Sequence, residues 1–211
     1  MHSQSVVSRR TSLFLTLALL VALVSYYLPW LNNAAAGLSA NAFDLAEWIS
    51  LSPLVRGANP PMLAPFLLRL SLSLLALLFA LNISYTSGWL RWLSAGLCLL
   101  LIITLFPPIE FIRAPGGMDD PNYRQLFGLF LFTLLMAGAV LIVPRLRLWR
   151  KPLSGLFALL LMVSSLWGTA LAFSILASDP IRLTTPLGLG LVGLIIALIA
   201  HQIVSWRIPN V

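Results

Sequence analysis

Histidine and cysteine are the side chains of this sequence best suited to chemistry, and the chain has two histidines and one cysteine. His2 lies in the polar N-terminal segment, and His201 lies near the end of the last hydrophobic run. Since histidine is the commonest metal ligand and titrates near neutral pH, we consider three interpretations of His201: a histidine packed against another helix, a hydrogen-bond partner of a quinone or lipid headgroup, or a haem ligand. No second histidine lies in a hydrophobic run, so a bis-histidine haem within the chain is excluded, whereas a haem shared with a neighbouring subunit stays open.

The sequence lacks the common catalytic motifs. Cys98 lies among leucines, which predicts a small buried hydrophobic side chain, and one cysteine excludes an intrachain disulfide or a multi-cysteine metal site. No HExxH, GxSxG or Walker motif occurs. The interiors of the hydrophobic runs contain no Asp, Glu or Lys, which ion-coupled transporters commonly place there. We therefore expect no catalytic activity and no cofactor in this chain.

The acidic side chains are the other candidates for chemistry. Glu110, Asp119 and Asp120 lie in a polar segment with a Pro-Gly-Gly turn. Adjacent carboxylates can help to hold a hard cation, but calcium takes six to eight oxygens, so we predict a solvated loop and no metal site. An enzyme that acts on lipid through Asp44, Glu47 or Asp119 is the remaining catalytic hypothesis.

The composition excludes a water-soluble globule. The chain has 211 residues, of which 60% are hydrophobic and 9% charged, and its mean hydropathy is +0.97. Soluble domains have about 25% charged residues. The pI of about 10.8 could indicate nucleic acid, but the basic residues lie in short segments between hydrophobic runs and form no contiguous basic face. We therefore predict the lipid bilayer as a partner and no nucleic acid.

Six hydrophobic runs organise the chain as a single integral membrane domain over 1–211. Each run approaches or exceeds the roughly 20 residues that cross a bilayer, and continuous runs differ from the alternation of barrel strands. We predict an all-α polytopic transmembrane helix bundle with six spans, or five in the alternative count, and an uncleaved first span. The predicted spans are 12–28, 62–83, 89–106, 125–143, 153–177 and 186–206, with a long outer loop over 29–61. Arg69, two turns into the second span, is expected to snorkel to the interface or to pair with an acid.

The outer loop carries a predicted short amphipathic helix over 42–51. Asn41 is a suitable N-cap, and an acid in the first turn favours the helix dipole. Such a helix is typical of the membrane interface, where it is either a docking surface or lid over the bundle, or a cover for apolar loop residues. At helical spacing, one face holds Leu45, Trp48 and Ile49, and another holds Asp44 and Glu47.

The distribution of charge predicts the orientation. With both termini in the cytoplasm, eight of the 13 basic residues lie inside and all six acids lie outside, as the positive-inside rule expects. We therefore predict a multi-pass protein of the bacterial inner membrane. The densest basic cluster is either a topology anchor at anionic headgroups or a docking site for a cytoplasmic partner, and its members are Arg145, Arg147, Arg150 and Lys151.

Two stripes of small residues predict close helix contacts. In each stripe the residues are four apart and share one helix face, which lets backbones approach. The contact is either within the chain or with another subunit, and the serine-rich stripe could alternatively line a polar pathway. The stripes are Ser164, Gly168 and Ala172 in the fifth run, and Gly193, Ala197 and His201 in the sixth.

The segment from Tyr27 to Pro53 resembles a known family. It reads Tyr-Leu-Pro-Trp and then, after a small-residue loop, Asn-Ala-Phe-Asp-Leu-Ala-Glu-Trp-Ile-Ser-Leu-Ser-Pro. This stretch is similar to small multi-span accessory subunits of the bacterial alternative complex III, a quinol oxidoreductase, and it includes no cofactor motif. The resemblance implies a subunit without redox centres beside haem- and iron–sulfur-bearing partners. We thus expect a non-catalytic subunit that stabilises a larger inner-membrane complex; the alternative is a small solute or lipid transporter.

Overall fold

The computed structural model describes residues 8–33, 38–143, 149–178 and 188–208. They form nine α-helices, one 3-10 turn and a two-stranded antiparallel hairpin within these ranges, which confirms the predicted all-α fold. The strands are β1 (Leu31–Asn33) and β2 (Leu38–Ala40), and the 3-10 turn spans Gly117–Asp119. The helices are α1 (Arg9–Tyr27), α2 (Ala42–Ser50), α3 (Pro53–Arg56), α4 (Leu63–Asn82), α5 (Trp89–Thr104), α6 (Glu110–Arg113), α7 (Pro121–Ile142), α8 (Arg150–Ser178) and α9 (Leu189–Arg207).

Five of the described helices are long and apolar enough to cross a membrane, namely α1, α4, α7, α8 and α9. Helix α5 is apolar but has only 16 residues, so at about 1.5 Å per residue it is roughly 24 Å long. That is less than the hydrocarbon thickness of about 30 Å. The third predicted span, 89–106, is therefore a shorter helix, which ends at Thr104 before Pro107.

Helix α4 is the centre of the bundle. It contacts α1, α2, α5, α7 and α8, and its residues from Leu67 to Leu81 are buried except Leu70. A helix that is hydrophobic on all sides belongs in a protein core or in a membrane, and α4 is enclosed by the other helices of the bundle. Helix α9 packs against α1 and α8 at the side of this core.

Five of the six helices that correspond to predicted spans begin at residues other than those predicted, and the start of α7 differs most. Helix α7 begins at Pro121, four residues before the predicted Gln125, because the Asp120 carboxylate accepts a hydrogen bond from the Asn122 amide and Pro121 suits the first helical position. The predicted start was later because the polar first turn of α7 precedes the hydrophobic run. Helix α9 begins at Leu189 after its N-cap Gly188, and the predicted start of this span at residue 186 lies outside the described residues.

The amphipathic helix α2 begins after its predicted cap. The Asn41 side chain accepts hydrogen bonds from the amides of Phe43 and Asp44. Leu45 and Ile49 are buried, and α2 packs across the start of α4. Trp48, which the sequence grouped with these two residues, is instead 37% exposed.

The charged residues that the structure describes lie at the two ends of the bundle. At one end, which we call the basic end, hydrogen bonds join Ser12 to the Tyr85 carbonyl, Arg150 to the Ser84 carbonyl and Lys151 to the Trp206 carbonyl. The other end, the acidic end, holds α2, α3, α6 and the start of α7, with every described Asp and Glu. The chain therefore has a strongly polarised distribution of charge along the bundle axis.

Candidate functional site

Arg69 on α4 is the only buried Asp, Glu, Lys or Arg among the described residues, with 0% of its surface exposed. Its Nη2 donates to Glu47 Oε1 of α2 at 2.6 Å. Its Nη1 donates to Asn122 Oδ1 at 2.7 Å and to Gln125 Oε1 at 3.3 Å, both on α7. One guanidinium therefore joins α2, α4 and α7 at the acidic end, and we call these four residues the Arg69 cluster.

A second layer of contacts holds the acceptors of Arg69 in place. The Gln125 amide nitrogen donates to the Met62 carbonyl at 3.0 Å, which fixes the amide oxygen toward Arg69. Asp120 caps the helix that carries Asn122 and pairs with Arg56 at 3.5 Å. These contacts tie α3 and the connection between α3 and α4 to α7, so the position of each acceptor depends on several elements.

The residues of the Arg69 cluster satisfy the charge and most of the hydrogen bonds of the guanidinium within the chain. Moving an isolated charge into an apolar interior costs far more than any single hydrogen bond returns, so a buried guanidinium needs an anion and several acceptors. Glu47 supplies the anion, and its side chain is still 41% exposed, while Asn122 and Gln125 supply neutral acceptors. Because these acceptors occupy both terminal nitrogens, the arrangement stabilises the arginine and leaves only Nε without a partner among the described residues.

Hydroxyl groups form further buried contacts along α4. Ser71 Oγ lies 2.9 Å from both Ser164 Oγ and Ser165 Oγ of α8, and Ser73 Oγ lies 2.5 Å from Thr133 Oγ1 of α7. Each hydroxyl thus has a partner on a neighbouring helix. The arrangement fastens helices side by side.

An amide contact lies nearer the basic end. Asn82 is 1% exposed, and its Nδ2 donates at 3.0 Å to Thr16 Oγ1 of α1 and at 3.0 Å to Ser94 Oγ of α5. The amide therefore bridges three helices. Its carbonyl oxygen has no partner among the described residues.

The two predicted stripes lie against helices of the same chain. A Cβ atom added to Gly168 would lie 3.0 Å from Leu67 Cβ and 3.1 Å from the Leu68 amide, and Ser164 and Ala172 are buried on either side. A Cβ added to Gly193 would lie 2.6 Å from Ser25 Oγ of α1, and Ala197 is also buried. These glycines mark the close approach of α8 to α4 and of α9 to α1.

His201 is 2% exposed. Its Nδ1 lies 3.3 Å from the Gln202 side-chain nitrogen, which also donates to the carbonyl and the hydroxyl of Ser154. The ring is therefore buried beside the contact that Gln202 of α9 makes with Ser154 of α8. The described residues bring no Cys, Asp or Glu group around it that could complete a metal site.

The predicted basic cluster is only partly within the described residues. Arg145 and Arg147 lie outside them. The Arg150 guanidinium carbon lies 5.6 Å from the centre of the Tyr85 ring, and Lys151 Nζ donates to the Trp206 carbonyl at 3.4 Å. Burial raises the pKa of the Tyr85 hydroxyl, and the charge of Arg150 and the Ser205 hydroxyl oppose that rise.

Several residues of these contacts were missed from the sequence. Asn122 and Gln125 are three apart at the start of a hydrophobic run, a spacing that places both on one helix face and could have indicated a shared partner. Asn82, at the end of another run, is a comparable signal. Tyr26, at the end of α1, is fully buried and donates to the Leu68 carbonyl at 3.1 Å.

The fold defines the class of protein as a helical membrane bundle by the length and composition of its helices. Comparison of the chain with protein-family models, with curated proteins and with solved structures found no match.

Proposed function

We propose that this chain is a non-catalytic integral membrane subunit that packs in and stabilises a larger inner-membrane complex. The resemblance of the segment from Tyr27 to Pro53 directs the proposal to an electron-transfer complex of the quinol-oxidising type, in which the partner subunits carry the redox centres. The charge asymmetry between the two ends favours the bacterial inner membrane with both termini in the cytoplasm.

The single observation that carries the proposal is the closed state of the Arg69 cluster. A transport or catalytic site needs a polar group that faces the substrate, whereas both terminal nitrogens of Arg69 are engaged with Glu47, Asn122 and Gln125. The buried serines of α4 and α8 are likewise paired with one another. Polar groups that satisfy one another support a structural role for the core.

The partner surface is expected on the apolar faces that the chain does not use itself. The outer face of α5 exposes Trp92, Leu99 and Ile103, and Gly96 on this face has open space around its Cα. A glycine among large apolar side chains leaves a notch into which a neighbouring helix fits. Because the two predicted stripes are occupied within the chain, this face of α5 is the better candidate for contact with another subunit.

Native purification from the source membrane in a mild detergent tests the proposal. We expect a band whose mass exceeds that of the 23.1 kDa chain by stoichiometric partners and whose absorption spectrum contains haem. The variant Gly96→Leu should lower the yield of the complex and leave the isolated chain folded. A colourless band of the chain alone would refute the subunit hypothesis.

A small solute or lipid transporter is the second candidate. Its support is Glu47, because this partly exposed carboxylate links solvent at the acidic end to a charge inside the bundle. Reconstituted vesicles that contain only this chain should then transport a solute or scramble a lipid, and Glu47→Gln should abolish the flux. Absence of flux together with a haem-bearing native complex would exclude this candidate.

A further inference from the structure

The connection between α5 and α7, which contains α6 and the 3-10 turn, lies along the side of α7. The ring centre of Phe111 in α6 is 5.2 Å from that of Phe127 in α7. The ring centre of Phe106, just after α5, is 5.1 Å from that of Phe130. Because Phe127 belongs to the second turn of α7, it lies roughly 9 Å along the axis from the start of that helix. Helix α6 is therefore level with the second turn of α7.

The short length of α5 leads to a similar depth. Asn82, the last residue of α4, donates to Ser94 of α5 at 3.0 Å, so these two residues lie at one level. From that level α4 extends about 28 Å to Leu63 at the acidic end, whereas α5 extends only about 15 Å to Thr104. The α5–α7 connection therefore begins well below the start of α4, beside the apolar part of the bundle.

The backbone of the α5–α7 connection is suited to an apolar environment. Nine of its amides donate to carbonyls three or four residues earlier, and its three prolines have no amide hydrogen. The backbone of Gly117 lies against the carbonyls of Glu110 and Phe111, so closely that a Cβ atom at this glycine would overlap them. Lipid excludes segments whose backbone groups lack partners, and the turns of this connection satisfy most of them.

The side chains of α6 and of the residue before it face two environments. Phe111 is 8% exposed, whereas Ile109 and Ile112 are 54% and 58% exposed. The neighbouring Glu110 and Arg113 are also exposed, and long charged side chains can reach the headgroups while apolar neighbours contact the acyl chains. This combination of outward isoleucines and flanking charges is typical of an element at the headgroup–acyl boundary.

We propose that the α5–α7 connection inserts into the bilayer leaflet at the acidic end, with Ile109 and Ile112 among the acyl chains next to the headgroups. The lipid surface is the partner because the connection lies at a level where the bilayer surrounds the neighbouring apolar helices α4 and α7. This placement differs from the solvated loop that the acids of the segment predicted. The proposal is independent of the role as a subunit.

Spin labelling of the full chain in phosphatidylcholine vesicles tests the placement. A nitroxide is attached to Ile109→Cys or Ile112→Cys, and its collision rates are measured with oxygen, which concentrates in the bilayer, and with a nickel chelate, which stays in water. We expect oxygen collisions to exceed nickel collisions at both positions. Cys98 is 4% exposed, so the unchanged chain is the control for background labelling, and thermal unfolding verifies that each variant is folded.

Two reference positions calibrate the measurement. Leu135→Cys lies in the middle of α7, is 69% exposed and should give the high oxygen-to-nickel ratio of the bilayer. Asp119→Cys lies in the same connection, is exposed and should give the low ratio of water. A ratio at Ile109→Cys and Ile112→Cys equal to that of Asp119→Cys would overturn the proposal in favour of a solvated loop. Low collision rates with both reagents would also overturn it, since protein would then cover the two isoleucines.

Discussion

The terminal nitrogens of the Arg69 guanidinium donate hydrogen bonds to acceptors on two neighbouring helices. Coulomb attraction to Glu47 is strengthened where water is excluded, and the two amide oxygens of Asn122 and Gln125 accept the remaining Nη1 protons. The sequence left two interpretations of this arginine, snorkelling or pairing with an acid. The structure shows pairing with Glu47 of α2. That contact depends on the position of α2 relative to α4, which the sequence of either helix alone does not specify.

Glu47→Gln is the sharpest test of this cluster. Removal of one partner from a fully buried ion pair costs about 3–5 kcal/mol, but Glu47 is 41% exposed, so screening reduces the loss. We expect a decrease of about 1–2 kcal/mol in the free energy of unfolding, measured by thermal or denaturant unfolding in detergent micelles. Glu110→Gln is the matched control, because Glu110 is exposed, and equal losses in both variants would contradict the role of the pair.

At the scale of elements, close contact at glycine determines how α8 and α9 pack. Gly168 lies against the backbone of α4 at Leu68, whereas Gly96 and Gly128 have open space around them. All three glycines lie in apolar helices, so composition does not distinguish them. Their different surroundings explain why a small-residue stripe predicts a contact but leaves the identity of the contacting helix open.

Gly168→Leu should therefore act on the fold of the chain itself. A side chain at this position has no space beside Leu67 and Leu68, so it must separate α8 from α4. We expect loss of more than half of the monodisperse protein in size-exclusion chromatography and a lower midpoint of thermal unfolding. The control Gly96→Leu makes the same chemical change on an open face, and a similar loss in both variants would mean that helix propensity, and not packing, is responsible.

The sequence was sufficient for the long helices and α2, and insufficient for the short elements and for the contacts between helices. Length and apolar composition predicted each long helix, and Asn41 with its acidic first turn predicted α2 within one residue of its end. The start of α7 was missed because its first turn, Pro121 to Arg124, is polar and escapes a search for hydrophobic runs. The partners of Asn82 and Ser71 were also out of reach, since a hydroxyl or amide in a helix does not indicate which helix lies opposite.

At the scale of the whole molecule, the separation of charge gives the bundle a direction. Within the described residues, the basic end has six Lys or Arg side chains and no acid, whereas the acidic end holds all five described acids and four arginines. Two of these acids form ion pairs within the chain: Glu47 pairs with Arg69, and Asp120 pairs with Arg56. The folded contacts of the acidic end therefore neutralise part of its positive charge.

This asymmetry predicts which end faces the cytoplasm. Basic segments are retained on the cytoplasmic side during insertion, so Asp119→Cys should react with a membrane-impermeant maleimide in intact bacterial spheroplasts, and Arg207→Cys only after permeabilisation. Both positions are exposed, and the native Cys98 is 4% exposed, so the unchanged chain is the unlabelled control. Labelling of Arg207→Cys before permeabilisation would show that the orientation is the reverse of the one predicted.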